Sequence, residues 1–216
     1  MRRRPTLHYI LSFILMCLIG SPISAQHISS WQLALEKDGI EVYIHRSADM
    51  RVRGFKACAT LSVPFDSLEV IFDNIEEYPE WQASIKTAKL VHEISDKKYH
   101  FQSRTKLPWP AKNHDLMWRV EKGWDERDGS LVYKQVCSTN TMPDKLLQGS
   151  VLQAFASWRL KPVNEDEVEI TYYLTVDKGG KVPSWIINLL SPDNPYDTIV
   201  NLQAMRPGDM DELVLD

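Results

Sequence analysis

Histidine is the side chain that most often serves as a metal ligand or a general base near neutral pH. Five histidines lie beyond residue 25: His27, His45, His92, His100 and His114. No two of them have the spacing of a metal-binding pair, and neither H-E-x-x-H nor a pair of C-x-x-C motifs occurs. The sequence also has no G-x-S-x-G, Walker or G-x-G-x-x-G motif. We therefore predict no catalytic residue, no metal site and no cofactor.

The most distinctive polar and aromatic side chains lie in the loop from Lys106 to His114. Two prolines stiffen the backbone on either side of Trp109. The positive charge of the loop comes from Lys106, Lys112 and His114. Tryptophan prefers the bilayer interface and lysine is attracted to anionic headgroups, so the loop is predicted to be a lid that touches a membrane transiently. The alternative is a surface loop whose Trp109 caps the core.

The first 25 residues have the three-part layout of a secretory signal peptide. Three arginines precede an apolar run from Tyr9 to Ile19, and a segment of small residues ends at Ala25. The run is shorter than the roughly 20 residues that span a bilayer, which disfavours a retained anchor. We predict a signal peptide at residues 1–25, one mature domain at residues 26–216, and a periplasmic or secreted location.

Composition and charge exclude some classes of partner. The 216 residues include 25 Lys and Arg against 29 Asp and Glu, a net charge of -4. Removing the leader with its three arginines leaves 22 basic against 29 acidic residues, a net charge of -7. An acidic domain is a poor match for the phosphate backbone, so nucleic acid is not a predicted partner. The 44% apolar content can bury a sizeable core.

The two cysteines of the mature chain, Cys58 and Cys137, both lie in strand-like runs. An oxidising compartment permits a disulfide between them if the two strands adjoin. The other interpretation is two separate small hydrophobic residues, because a disulfide demands a specific Cα separation that the sequence does not supply.

The start of the domain is predicted to contain a helix, two strands and a second helix. A short helix is predicted at Trp31–Lys37, stopped by the Asp-Gly pair that follows it. Strands are predicted at Ile40–Ile44 and Gly54–Val63. Pro64 then opens a helix whose apolar face belongs to the core and which ends at Tyr78–Pro79.

The rest of the chain is a series of alternating apolar and polar runs, typical of an antiparallel sheet with one buried face. The predicted strands are 99–106, 116–121, 130–138, 155–161 and 168–177. A helix is predicted from Pro183, with a second helical piece from Tyr196 to about Met205. This order of elements predicts the α+β class.

Three stretches together resemble the START family, the lipid-transfer domains related to steroidogenic acute regulatory protein. The first runs from Trp31 to Tyr43, and the second is Pro108–Asp115, which is similar to the family's loop ending in Arg-Asp. The third runs from Met142 to Asn188 and ends in a strand with Asp177, glycines, and a helix opened by Pro183. His114 stands where the family usually has arginine before Asp115. A structural ion pair is therefore expected to be replaced by a His114–Asp115 pair that titrates.

The resemblance implies the helix-grip fold, in which a curved antiparallel sheet wraps around a long C-terminal helix and encloses a hydrophobic cavity for one lipid. It leaves sterol and phospholipid equally open. The strand phases then predict which inward side chains line the cavity. These are Phe101, Leu116, Trp118, Val120, Ile170, Tyr172, Leu174, Trp185, Ile186 and Leu189. Ordinary core packing is the competing role for each of them.

The expected function is that of a monomeric, exported lipid carrier or sensor. One alternative is a helix-grip enzyme of the cyclase or aromatase kind acting on a small hydrophobic substrate. Such an enzyme needs convergent polar groups in the hollow, and only Tyr172, Ser103 and Thr105 are candidates. Another alternative is a regulatory module that works through a protein partner and exposes an apolar patch.

Overall fold

The computed structural model describes residues 31–46, 52–107, 109, 113–138, 153–177, 187 and 189–205. The strands are β1 (Trp31–Lys37), β2 (Ile40–Arg46), β3 (Val52–Leu61), β4 (Ile85–Ser95), β5 (Lys98–Thr105), β6 (Asp115–Asp125), β7 (Ser130–Ser138), β8 (Gln153–Pro162) and β9 (Val168–Asp177). The helices are α1 (Phe65–Asp73), a 3-10 turn (Ile75–Glu77), α2 (Tyr78–Trp81) and α3 (Asp193–Ala204). Within these ranges, no helix has both the length and the apolar character to cross a membrane.

The strands of the described chain form one antiparallel sheet in the order β1-β2-β3-β9-β8-β7-β6-β5-β4. Burial alternates along the central strands, and β9 has every second side chain buried from Val168 to Val176. The predicted α+β class and the curved antiparallel sheet with a C-terminal helix are therefore confirmed. The edge strand β4 was not predicted, because most of its side chains are exposed and its apolar residues do not alternate.

The predicted helix at Trp31–Lys37 is wrong, because this segment is strand β1. The residues between β1 and β2, Asp38 and Gly39, have φ angles of 53° and 75°. Two positive φ angles in a two-residue loop form the type I′ turn that joins antiparallel strands. The turn places Lys37 opposite Ile40, so pairing with β2 overrides the helix propensity of the segment.

Helix α1 packs its apolar face on the sheet, as predicted. Leu68, Ile71 and Phe72 are fully buried, and the ring of Phe72 lies 5.1 Å from that of Trp158 on β8. The helix ends at Asp73 rather than at Tyr78–Pro79, where the short helix α2 begins instead. A proline in the first turn of a helix needs no hydrogen-bonded N–H, so Pro79 begins α2 rather than ending α1.

Helix α3 begins at Asp193, three residues before the predicted start at Tyr196. The reason is again a proline in the first turn, here Pro195, which a helix tolerates. The helix is fixed to the first hairpin by the hydroxyl of Tyr196, which donates to the Asp38 carboxylate at 2.6 Å. The predicted signal peptide and the predicted start of a helix at Pro183 lie outside the described residues.

The two cysteines are not bridged. Strands β9 and β8 lie between β3, which carries Cys58, and β7, which carries Cys137. Both thiols are free, and Cys137 is buried. The structure thus selects the second interpretation, two separate small residues that pack in different parts of the sheet.

Candidate functional site

A cavity lies between the inner face of the sheet, the segment that follows α2, and Leu189. About 610 Å³ among its wall residues is free of protein atoms, a volume that includes the open mouth. Six of the predicted lining residues do line it: Phe101, Leu116, Trp118, Tyr172, Leu174 and Leu189. The alternation of the strands was the signal that identified five of these six.

Two predicted lining residues, Val120 and Ile170, are fully buried but do not belong to the cavity wall. They point to the inner face, as their phase predicted, yet they lie in the packed core. Alternation predicts which face of the sheet a side chain points to. It does not predict whether that side chain lies in the packed core or at the cavity, so the predicted lining role of these two residues is wrong. Trp185 and Ile186 lie outside the described residues.

The remaining wall residues were not predicted as lining. They are Gln82, Ser84, Ile85, Ser103, Thr105, Gln135, Ala154, Ala156 and Val176. Ser103 and Thr105 were identified from the sequence only as inward polar groups. Val176 shares the phase of the predicted Leu174 on β9, so the same alternation could have found it. Gln135, Ala154 and Ala156 lie on β7 and β8, where no lining residue was predicted.

The open space arises from two small side chains on β8. Ala154 and Ala156 face inward, and the next inward residue is the large Trp158. Ala156 lies opposite Gln135 on β7 and Leu174 on β9. An alanine removes about three side-chain carbons relative to leucine, so two alanines in adjacent inward positions leave room that the larger residues around them do not fill.

Tyr172 of the cavity wall packs against an aromatic ring of the core. The rings of Trp158 and Tyr172 are stacked at 3.8 Å with an angle of 6° between their planes. Burial raises the pKa of the Tyr172 phenol, so this side chain stays protonated and neutral at physiological pH. Tyr172 therefore brings a hydroxyl, and no charge, to the cavity wall.

The loop that carries Trp109 starts at the wall of the cavity. Thr105, the last residue of β5, lines the cavity, and its backbone N–H donates to the carbonyl of His114 at 2.8 Å. The N–H of Lys106 donates to the carbonyl of Ser84, another wall residue, at 2.7 Å. These bonds hold the base of the loop against the cavity wall.

The predicted lid residues differ in their surroundings. Trp109 is 93% exposed and Lys106 is exposed, whereas Lys112 lies outside the described residues. His114 is partly buried, and this burial lowers the pKa of its imidazole, against the opposing effect of Asp115. This lowered pKa favours the neutral imidazole, which argues against the predicted positive charge on His114.

Asp115 forms an ion pair with an arginine of the neighbouring strand. This arginine is not at the position of the START arginine, which His114 fills in this chain. Arg104 on β5 lies opposite Asp115 on β6 and donates from Nε and Nη2 to its two carboxylate oxygens at 2.7 and 2.9 Å. These hydrogen bonds hold the pKa of Asp115 below its usual value. Arg104 therefore supplies a cation for Asp115 that the sequence pattern did not predict, beside the electrostatic interaction of Asp115 with His114.

We expect Asp115→Asn to lower the unfolding free energy by about 1 kcal/mol at neutral pH. The pKa of Asp115 is lower in the folded state than the value of 3.8 for the free side chain. The ionised pair is thus present above pH 3.8 and is lost as the pH falls through the folded-state pKa. Urea unfolding at about pH 7 and about pH 2 checks this, and Asp96→Asn in the exposed β4–β5 turn is the control. A difference of equal size at both pH values contradicts the role of the charge.

Comparison with known proteins gives relatives at low sequence identity. An uncharacterized protein of Pseudomonas aeruginosa is 23% identical over 176 residues, which cover 81% of this chain and 85% of that protein. Mouse phosphatidylcholine transfer protein is 24% identical over 164 residues, which cover 74% of this chain and 76% of that protein. No family model matches the chain.

Solved structures give the same family at the level of the fold. A STAR-related lipid transfer protein from Xanthomonas axonopodis has a TM-score of 0.68 and 23% identity, over 81% of this chain and 97% of that one. Human StAR-related lipid transfer protein 5 has a TM-score of 0.63 and 13% identity, over 91% and 92%. The resemblance inferred from the sequence is confirmed: this chain has the helix-grip fold of the STAR-related lipid transfer domains.

Proposed function

We propose that the protein is an exported carrier that holds one lipid in the cavity and exchanges it at a membrane surface. The observation that carries the proposal is the cavity itself, whose wall is mostly made of inward apolar side chains of the sheet. The exposed Trp109 lies in the loop that follows Thr105, a residue of this wall. The name of the mouse relative, a phosphatidylcholine transfer protein, supports the same class of ligand.

Apolar burial supplies enough free energy for such a carrier. Each methylene group transferred from water is worth about 0.8 kcal/mol, so a sixteen-carbon chain offers on the order of 12 kcal/mol before ordering costs. A lipid that leaves a bilayer loses the apolar contacts of the bilayer interior. The fraction of protein that carries a lipid therefore depends on how well the cavity wall replaces those contacts. The acidic net charge is compatible with this mechanism, because the driving force is not electrostatic.

Export and membrane contact complete the proposal. Residues 1–25 have the layout of a signal peptide, so the carrier acts in the periplasm or outside the cell. Trp109 gives the rim of the cavity an interfacial anchor, and the exposed Lys106 adds attraction to anionic headgroups. Because the mature chain as a whole carries a net charge of -7, this contact is brief, which suits a monomeric carrier that must leave the membrane again.

Trp109→Ala is expected to slow lipid transfer about five-fold, which corresponds to about 1 kcal/mol of interfacial affinity. Because Trp109 is 93% exposed, its removal should leave the fold and the equilibrium lipid occupancy unchanged. The measurement is the transfer of a fluorescent phosphatidylcholine from donor to acceptor vesicles containing anionic lipid. Trp124→Ala removes a 56% exposed tryptophan on β6 and serves as the control.

Transfer at the wild-type rate by a folded Trp109→Ala variant would contradict the lid. Failure of the wild-type protein to accelerate transfer at all would contradict the carrier. A protein that binds the fluorescent lipid but does not release it to acceptor vesicles would behave as a sensor.

A further inference from the structure

The amide of Gln135 is a buried polar group that lacks a partner. Gln135 lies on β7, is 5% exposed and belongs to the cavity wall. Its side-chain nitrogen is buried and makes no hydrogen bond. An unpartnered donor in the interior is costly, and native structures satisfy such groups with protein, water or a ligand. The Gln135 amide is therefore a site at which a ligand can contribute to binding.

Two hydroxyls on β5 add donors to the same cavity. The oxygen of Ser103 accepts a hydrogen bond from the indole of Trp118 at 3.0 Å. The oxygen of Thr105 accepts one from the backbone N–H of His114 at 2.7 Å. A hydroxyl carries one donor besides its acceptor sites, so each of these side chains still has a hydrogen to give. The polar part of the wall thus offers donors to an acceptor on the ligand.

The neighbours of Gln135 place this polar group beside the apolar part of the cavity. Ala156 lies directly opposite it on β8, and the side chains of Leu116 and Leu174 also line the space. The described wall is built of uncharged side chains. A neutral oxygen suits these surroundings, because an ion buried without a countercharge loses far more hydration energy than a neutral group.

We propose that Gln135 donates a hydrogen bond to a neutral oxygen of the bound lipid, either a hydroxyl or an ester or amide carbonyl. The inference rests on the proposed lipid binding and specifies the chemistry of the ligand. The oxygen lies at the end of the lipid that is enclosed by β7 and β8, and the hydrocarbon fills the space beside the two alanines. Gln135 is thus a specificity-determining residue and not part of the apolar driving force.

Two probes with the same hydrocarbon test this selectivity. Radiolabelled 1-octadecanol or octadecane is loaded into phosphatidylcholine vesicles, and the label carried off by the protein is counted after the vesicles are removed. The selectivity is the ratio of 1-octadecanol to octadecane uptake. We expect Gln135→Leu to reduce this ratio about ten-fold relative to wild type. The two probes differ in their affinity for the vesicles, but this difference is the same for both proteins and cancels when the ratio of the variant is divided by that of the wild type.

The control is Gln102→Leu, which makes the same replacement at an exposed position of β5 and should keep the wild-type ratio. Gln135→Met, with an unbranched chain of similar length, provides a second test if the leucine variant does not fold. An unchanged ratio in folded Gln135 variants overturns the proposal while lipid binding stands. Preferential uptake of stearate over 1-octadecanol by the wild type also overturns it, because stearate is charged. If the wild type takes up none of the probes, the proposed carrier function fails as well.

Discussion

Ala156→Phe is expected to reduce lipid occupancy roughly 100-fold while the protein remains folded. Ala156 faces the cavity between Gln135 and Leu174, so a phenyl ring at this position occupies space that the ligand would otherwise fill. A ring of this size excludes about three to four methylene groups, each worth about 0.8 kcal/mol, and the sum of about 3 kcal/mol corresponds to roughly 100-fold in affinity. Equilibrium uptake of fluorescent phosphatidylcholine from vesicles measures the loss.

The control for this variant is Ser157→Phe, which adds the same ring one residue along β8, on the opposite face of the sheet. Near-ultraviolet circular dichroism and the melting temperature show whether each variant keeps its packed core. Ala156→Leu fills less of the space and should give an intermediate loss. Wild-type uptake by a folded Ala156→Phe variant would contradict the location of the ligand in this cavity.

Trp158→Ala is expected to lower the unfolding free energy by about 3–5 kcal/mol. Trp158 is 1% exposed and stacks on Tyr172 at 3.8 Å. Its ring also meets Phe72 of α1 at 5.1 Å and Trp81 of α2 at 5.5 Å, so one side chain joins the sheet to both helices. Truncation removes these contacts and leaves a void that surrounding side chains fill only partly.

Urea unfolding followed by far-ultraviolet circular dichroism measures the effect of Trp158→Ala. The control is Trp124→Ala, which removes a 56% exposed ring that contacts Phe65 at 5.4 Å. This truncation should cost about 1 kcal/mol or less. Losses of equal size in the two variants would contradict the role of Trp158 as the centre of the core.

Much of the fold could be predicted from the sequence because sheet strands with one buried face carry a period-2 signal. The run Val168–Asp177 has that pattern in full, and its observed bounds are the predicted ones. This period-2 signal is absent at the edges of the sheet, because edge strands bury few side chains and do not need apolar residues at every second position. Trp31–Lys37 has good helix formers and only partly buried or exposed side chains, so the two-residue turn after it was the better evidence for a strand.

The cavity was harder to predict because it depends on the size of side chains as well as their phase. Phe101 and Leu174 were found by alternation, but Val120 and Ile170 have the same pattern and lie in packed core. The alanines of β8 and the unpartnered amide of Gln135 mark where the space is. Small or polar residues at inward positions of a strand are weak evidence for a cavity until the positions of the helices that cover the sheet are known.

Native mass spectrometry of the protein purified gently from its own host tests the central claim most directly. The account predicts a complex of one chain with one lipid, and extraction should release a molecule that has a neutral oxygen and a long hydrocarbon part. The chain mass should correspond to a start at Gln26, and the Ala156→Phe variant should lack the bound mass. A wild-type protein that carries no lipid from its host and takes up none from vesicles would contradict the account.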